Sequence, residues 1–140
     1  MDGTMKDLDL KREIYLKRLE DPFVTLGILI PSKVVHRGRE IRLREEIASL
    51  RREALEGAEG WRGRAVKLLK LLKEMEERAV KRIEAAEDEE GLEEAFREAL
   101  GPLRAAQEVT ALLEGEVYEE AEEEDVEDLK RWMEYIRKLK

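Results

Sequence analysis

The sequence predicts an all-α protein, an antiparallel helical bundle of about four long amphipathic helices preceded by a short N-terminal helix. Two long apolar stripes at helical spacing carry this prediction, and the connections between them are short, which favours antiparallel neighbours. The first stripe comprises Trp61, Ala65, Leu68, Leu72, Met75, Ala79, Ile83 and Ala86. The second comprises Leu92, Phe96, Ala99, Leu103, Ala106, Thr110, Leu113 and Val117. We expect one domain over residues 1–140, with 1–37 as an N-terminal appendage and 38–140 as the bundle.

The appendage is expected to begin with an amphipathic helix over residues 7–20. Asp7 is a suitable N-cap residue, because its carboxylate can accept a hydrogen bond from a free backbone N–H. The inward positions of this helix would be Leu8, Ile14, Tyr15 and Leu19.

The next segment, 23–30 (FVTLGILI), is apolar but lacks helical spacing, and prolines flank it. Its β-branched residues and Gly27 favour a single strand, which would pair with residues 33–37 or with the same segment of a second subunit. The alternative is a short buried helix with Asp21 at its N-cap and Pro22 in its first turn. His36, the only histidine, is interpreted as a solvated junction residue.

Helix is predicted to resume beyond residue 39 and to end at Gly57 and Gly60. The central helix follows over about 61–87, and Asp88 with Gly91 marks a break. The second stripe keeps its phase through Gly101 and Pro102, although proline removes a backbone donor and kinks helices. We therefore expect one bent helix or two nearly aligned helices packed along the central one. A last helix is predicted over 125–139.

Composition indicates habitat more clearly than activity. Charged residues make up 44% of the chain, asparagine and cysteine are absent, and glutamine occurs once. Enrichment of charge with depletion of thermolabile side chains is typical of hyperthermophile proteins, so we expect a thermophilic source. No apolar run reaches the ~20 residues that span a bilayer. Acidic residues precede any apolar segment at the N-terminus, unlike a signal peptide, so we expect a cytoplasmic protein without a membrane partner.

The sequence lacks the motifs of several enzyme classes. A single histidine excludes sites that need two imidazoles, and no Walker loop or GxGxxG fingerprint occurs. The acidic run has carboxylates at helical spacing, such as Glu119 with Glu122 and Glu122 with Asp125, which could hold Mg²⁺. An all-α Mg²⁺-dependent nucleotide hydrolase is therefore one alternative. We assign no catalytic residue, cofactor or metal ligand.

Charge lies in blocks along the chain. Residues 32–83 carry a net charge of +6 and residues 84–128 a net charge of −17. Side-by-side packing of basic and acidic helices would account for this layout, and so would contact between subunits. The third interpretation is a nucleic-acid-associated protein that uses the basic region 33–82, because clustered cations neutralise phosphates. Its candidate contacts are Arg37, Arg39, Arg42, Arg44, Arg51, Arg52, Arg62 and Arg64.

Polar residues interrupt the two stripes. Gln107, Thr110 and Glu114 lie on or beside the face of the second long helix, and Glu76 lies beside the stripe of the central helix. Because a lone buried carboxylate is costly, these groups are expected to form a polar core network or to line a small polar pocket.

The function hypothesis that the sequence favours is a non-enzymatic helical-bundle protein acting in protein–protein interaction. It would self-associate, as a homodimer or larger homo-oligomer, or serve as the small subunit of an assembly. The apolar stretch 23–30 motivates this hypothesis, because it needs a partner surface to cover it.

Overall fold

The structure is a computed structural model that describes residues 2–117, 131 and 134. Over these residues the chain forms four α-helices and one antiparallel hairpin, which confirms the predicted all-α helical bundle with a short N-terminal helix. The elements are α1 (Asp2–Arg18), β1 (Val34–His36), β2 (Arg39–Ile41), α2 (Leu43–Glu56), α3 (Trp61–Ala85) and α4 (Glu89–Val117). The last predicted helix, 125–139, lies outside the described residues except for 131 and 134.

Helices α3 and α4 form the main helix–helix interface, and their apolar stripes meet as the sequence predicts. They run antiparallel, because the first half of α3 shares one core cluster with the second half of α4, and the reverse holds for the other halves. Helix α2 completes the first cluster with Leu43, Ile47 and Leu50. Helix α1 and Leu19 complete the second cluster around Phe96.

Helix α1 differs in detail from the prediction. It begins at Asp2, so Asp7 lies inside the helix and is not its N-cap. Ile14, expected inward, is 47% exposed, whereas Leu19 just beyond the helix is buried. Arg12 fixes α1 against the end of α3, because its guanidinium donates to the backbone carbonyls of Ile83 (3.0 Å) and Ala86.

The other helix ends follow the predicted signals. Gly57 closes α2 in the left-handed conformation, with φ of 68°. Asp88 opens α4, since its side chain accepts from the backbone N–H of Gly91 at 2.6 Å. Of the two arrangements expected at Gly101 and Pro102, one bent helix or two nearly aligned helices, the structure has a single continuous helix, α4.

The strand expected over 23–30 is wrong, and so is the short helix. The segment is a series of overlapping four-residue turns, in which the N–H groups of Val24, Leu26 and Ile28 donate to the carbonyls of Asp21, Phe23 and Thr25. The strands lie further along the chain, at 34–36 and 39–41, and pair with each other. The segment forms turns and not a strand because Gly27 has a φ of +78°, which is incompatible with an extended strand.

Arg37 and Gly38 form the two-residue turn of the hairpin, and both have positive φ, 53° and 73°. This is the turn geometry that matches the twist of paired strands. Val34 and His36 share one face of β1 and point inward, while Val35 points outward. His36 is therefore not a solvated junction residue: it is 5% exposed, because strand alternation directs it towards α3.

Candidate functional site

The hairpin, α3 and α4 enclose an open cleft of about 390 Å³. Three parts of the chain line it. The linker and hairpin contribute Pro31, Val34, Val35 and His36; α3 contributes Met75, Arg78, Ala79 and Arg82; α4 contributes Arg97, Glu98 and Pro102. The α3 positions lie three and four residues apart, so they share one helix face. The cleft thus has an apolar floor, which includes Val34, Met75 and Pro102, and a rim of charged side chains.

A close packing contact positions the linker that leads into the hairpin. A Cβ placed on Gly101 would lie 2.6 Å from Cγ of Pro31, so only glycine lets the linker approach α4 this closely. Pro102, one residue further along α4, is buried and lines the cleft. The Gly101–Pro102 pair, an irregularity in sequence terms, is therefore the surface on which the linker rests.

The hairpin is fixed at the other edge of the cleft by His36. Its Nε2 lies 2.9 Å from a carboxylate oxygen of Glu74, an exposed residue of α3. This hydrogen bond, with the positive charge of Arg37 as a second cause, lowers the pKa of the Glu74 carboxyl. Arg37 itself approaches the same carboxylate at 3.7 Å. The ionised carboxylate thus holds the hairpin on α3 at neutral pH.

The rim of the cleft is basic although the chain as a whole is acidic. Arg82 is bound by Glu98 across the α3–α4 interface, which neutralises both. Arg97 is 76% exposed and approaches only within 3.8 Å of Glu93 on its own helix. Arg78 is also exposed. The lining residues therefore include three guanidinium groups against one carboxylate.

A second feature lies in the turn segment. We define the apolar patch as Phe23, Leu26 and Leu29, whose exposures are 68%, 75% and 77%. Their neighbours Val24, Thr25 and Ile28 face inward, and Thr25 is buried.

Gln107 anchors this turn segment to α4. Its side chain accepts from the Thr25 hydroxyl (2.5 Å) and donates to the carbonyl of Pro22 (3.2 Å). At the far end, Arg44 donates to the carbonyl of Ile30 at 2.5 Å. The patch is thus presented by a segment whose backbone is tied down at both ends.

The residues predicted as a polar core network separate into two groups. Glu76 and Thr110 are buried, at 4% and 7% exposure, whereas Gln107 and Glu114 are half-buried. Gln107 bonds to the turn segment, as described above, so its partners differ from those that a network between α3 and α4 would give.

The arginines considered for nucleic-acid contact are spread over the hairpin, α2 and the first turn of α3. Arg51 bonds Glu108 of α4 (3.1 Å), and Arg64 bonds Glu46 (2.9 Å) and Glu53 of α2. The Arg51–Glu108 pair joins the basic block to the acidic block, as the first interpretation of the charge layout expects, whereas the pairs of Arg64 lie within the basic block. The other arginines of that set occupy the hairpin, the start and middle of α2, and α3: Arg37, Arg39, Arg42, Arg44, Arg52 and Arg62.

The structure directs attention to three arginines that the sequence analysis did not select: Arg78, Arg82 and Arg97. One signal for Arg97 was available, since it is one of two bases in the acidic block 84–128. Glu119, Glu122 and Asp125, the possible Mg²⁺ ligands, lie outside the described residues. In the described part of the chain, no three His, Cys, Asp or Glu side chains come together as a metal site. None of the described helices has the length and apolar character needed to cross a membrane.

Comparison with known proteins places the chain in a family. It belongs to the family of unknown function DUF5788, which matches residues 5–137. Neither a curated protein nor a solved structure matches the chain.

Proposed function

We propose that this chain is a non-enzymatic interaction protein that associates with a second copy of itself through the apolar patch. The observation that supports this proposal is the outward orientation of three large apolar side chains on an anchored segment. They cannot turn inward, because the inner positions of the same turns are already occupied by Val24, Thr25 and Ile28. Large exposed apolar side chains grouped on one segment mark interaction sites.

The size of the patch favours a symmetric dimer. Burying one large apolar side chain contributes about 1.5–3 kcal/mol, so three contribute roughly 5–9 kcal/mol. Association costs about 4–15 kcal/mol, which one patch against a neutral surface barely offsets. In a two-fold dimer each copy contributes its patch, and the gross gain doubles.

Charge at the two ends of the segment is consistent with the same arrangement. The segment begins beside exposed Glu20 and Asp21 and ends beside Lys33, which is 67% exposed. If two copies pair antiparallel along this segment, the acidic end of one meets the basic end of the other. Such complementarity favours self-pairing and sets its register.

Light scattering after gel filtration tests the proposal. We expect the wild-type chain to be a dimer at tens of micromolar and Leu26→Glu to be a monomer, because a charge would be buried at the centre of the interface. Leu55→Glu is the matched control, since Leu55 is 84% exposed on α2, and it should leave the dimer intact. A wild-type chain that stays monomeric up to about 1 mM would rule out self-association.

We also propose that the protein functions in the cytoplasm of a thermophile. The charge-rich composition supports the thermophilic source, and so do the ion pairs between helices, which stabilise more strongly at high temperature. A melting temperature within the range of about 45–65 °C, where mesophile domains cluster, would contradict this part of the proposal.

A further inference from the structure

The arginine-lined cleft has the properties of a site for a small molecule. Its volume of about 390 Å³ falls within the range of roughly 300–1,000 Å³ that ligand sites occupy. Its floor consists of Pro31, Val34, Met75, Ala79 and Pro102, which offer apolar surface to an uncharged molecular body. The cleft is separate from the apolar patch, since none of the patch residues lines it.

The charged groups of the cleft select an anion. Arg78 projects from α3 and Arg97 from α4, so the two guanidinium groups belong to different walls. Glu98, the carboxylate among the lining residues, is bound by Arg82 and is thereby neutralised. Arg78 and Arg97 remain to meet an anion in the cleft, because the carboxylates that interact with them, Glu74 and Glu93, are exposed and lie outside the lining.

The presence of an arginine on each of two walls favours a phosphoryl group over a carboxylate. A carboxylate has two coplanar oxygens, which one guanidinium satisfies in a bidentate pair. A phosphoryl group has three strong acceptor oxygens in a tetrahedral arrangement, so it can accept from two walls at once. The hydrogen bond from His36 to Glu74 fixes the hairpin wall, so that its apolar face is formed before a ligand arrives.

We propose that this cleft binds a small organic phosphate. The phosphoryl group accepts hydrogen bonds from Arg78 and Arg97, and the apolar body of the molecule lies on Val34, Met75 and Pro102. Binding is therefore stronger for a phosphate ester with an apolar or aromatic substituent than for inorganic phosphate, because the ester also buries apolar surface.

Isothermal titration calorimetry with phenyl phosphate tests this proposal. We expect saturable binding with a dissociation constant of about 1 mM or tighter, and inorganic phosphate and benzyl alcohol each bind at least about tenfold more weakly. Arg78→Ala and Arg97→Ala should each weaken phenyl phosphate binding about tenfold or more, because each removes a charge-assisted hydrogen bond. Both side chains are exposed, so the variants should keep the circular dichroism spectrum and melting temperature of the wild type.

Arg52→Ala is the matched control, because Arg52 is an exposed arginine of α2 that does not line the cleft. It should bind phenyl phosphate like the wild type. The proposal is overturned if phenyl phosphate shows no saturable binding up to about 10 mM, or if Arg52→Ala loses as much affinity as the two cleft variants. Equal affinity for inorganic phosphate would overturn the organic class of ligand. The oligomeric state is measured separately by light scattering. Absence of phenyl phosphate binding would therefore not contradict self-association, and a monomeric chain would not contradict phosphate binding.

Discussion

The contact between Gly101 and Pro31 allows a quantitative test of the fold, because two known effects oppose each other there. Glycine inside a helix costs about 0.5–1 kcal/mol relative to alanine, so Gly101→Ala alone should stabilise α4 by that amount. The new Cβ would, however, lie 2.6 Å from Cγ and 3.2 Å from Cδ of Pro31. Forcing such a methyl group into a packed contact costs about 1–3 kcal/mol. The variant should therefore range from unchanged to about 2.5 kcal/mol less stable than the wild type.

Gly63 supplies the matched control, because it lies in α3 and a Cβ placed there meets nothing within 4 Å. Gly63→Ala should gain about 0.5–1 kcal/mol in guanidinium-induced unfolding followed by circular dichroism. The difference between the two variants then measures the cost of displacing Pro31 together with the contact between the new Cβ and the ring of Pro102, the next residue. If Gly101→Ala stabilised the protein as much as Gly63→Ala, the linker would not rest on α4 as described.

A double-mutant cycle separates this contact from other effects of the glycine. Pro31→Ala removes the two ring atoms that the new methyl group would meet, Cγ and Cδ. In that background Gly101→Ala should cost about 1–3 kcal/mol less than it does in the wild type, and this difference is the coupling energy between the two positions. A coupling energy near zero would show that the cost arises elsewhere.

Three further predictions follow from the contacts that hold α1, the hairpin and the turn segment. Arg12→Ala should destabilise the protein by about 1–3 kcal/mol in denaturant unfolding, because two carbonyls at the end of α3 lose a charged donor. The hydrogen bond to His36 lowers the pKa of Glu74 in the folded state. It therefore stabilises the folded protein fully at pH values above the ordinary glutamate pKa of about 4.3. This stabilisation is lost as the pH falls through the lowered pKa and the carboxylate is protonated. The stability difference between wild type and Glu74→Gln, measured by urea unfolding at a series of pH values, should therefore shrink below about pH 4. Gln107→Leu should raise amide hydrogen exchange in the turn segment, because the hydroxyl of Thr25 loses its acceptor, while exchange in α3 stays unchanged.

The long helices could be predicted from the sequence because their apolar stripes follow one period over many residues. The two stripes, from Trp61 and from Leu92, are too long for their helical spacing to arise by chance, and Gly60 and Asp88 mark where the two helices begin. The same argument left either one bent helix or two nearly aligned helices at Pro102, and the structure has one helix there. Proline there removes one hydrogen bond, but the burial of the whole stripe outweighs that loss.

The hairpin and the turns could not be predicted because their signals are short and local. The hairpin has three residues in each strand, and its turn uses Arg-Gly instead of the more recognisable Asn-Gly. His36 was misjudged for the same reason, since its burial depends on the alternation of a strand that had not been identified. The segment 23–30 looked like a strand by composition, but local hydrogen bonds and the positive φ of Gly27 decided its conformation.

The cleft was invisible in the sequence because it depends on which residues of three separate elements meet. Arg78 and Arg97 are 19 positions apart on different helices, and only the antiparallel packing of α3 and α4 places them around one space. Charge counting emphasised the block 32–83, where several arginines are already engaged by acidic side chains. Arg78 and Arg82 lie in the same block, and only the packing of α3 against α4 brings them to one cleft with Arg97.

One support on α4 links the apolar patch and the cleft. Gln107 holds the turn segment that carries the patch, Gly101 admits the linker, and Pro102 lines the cleft. A change at Gly101 therefore displaces both features, whereas Leu26→Glu reaches only the patch and Arg97→Ala only the cleft. If ligand binding and self-association were independent of each other, Gly101→Ala would be the single-residue change that weakens both. That outcome would show that the contact between Gly101 and Pro31 positions the segment from which both surfaces are built.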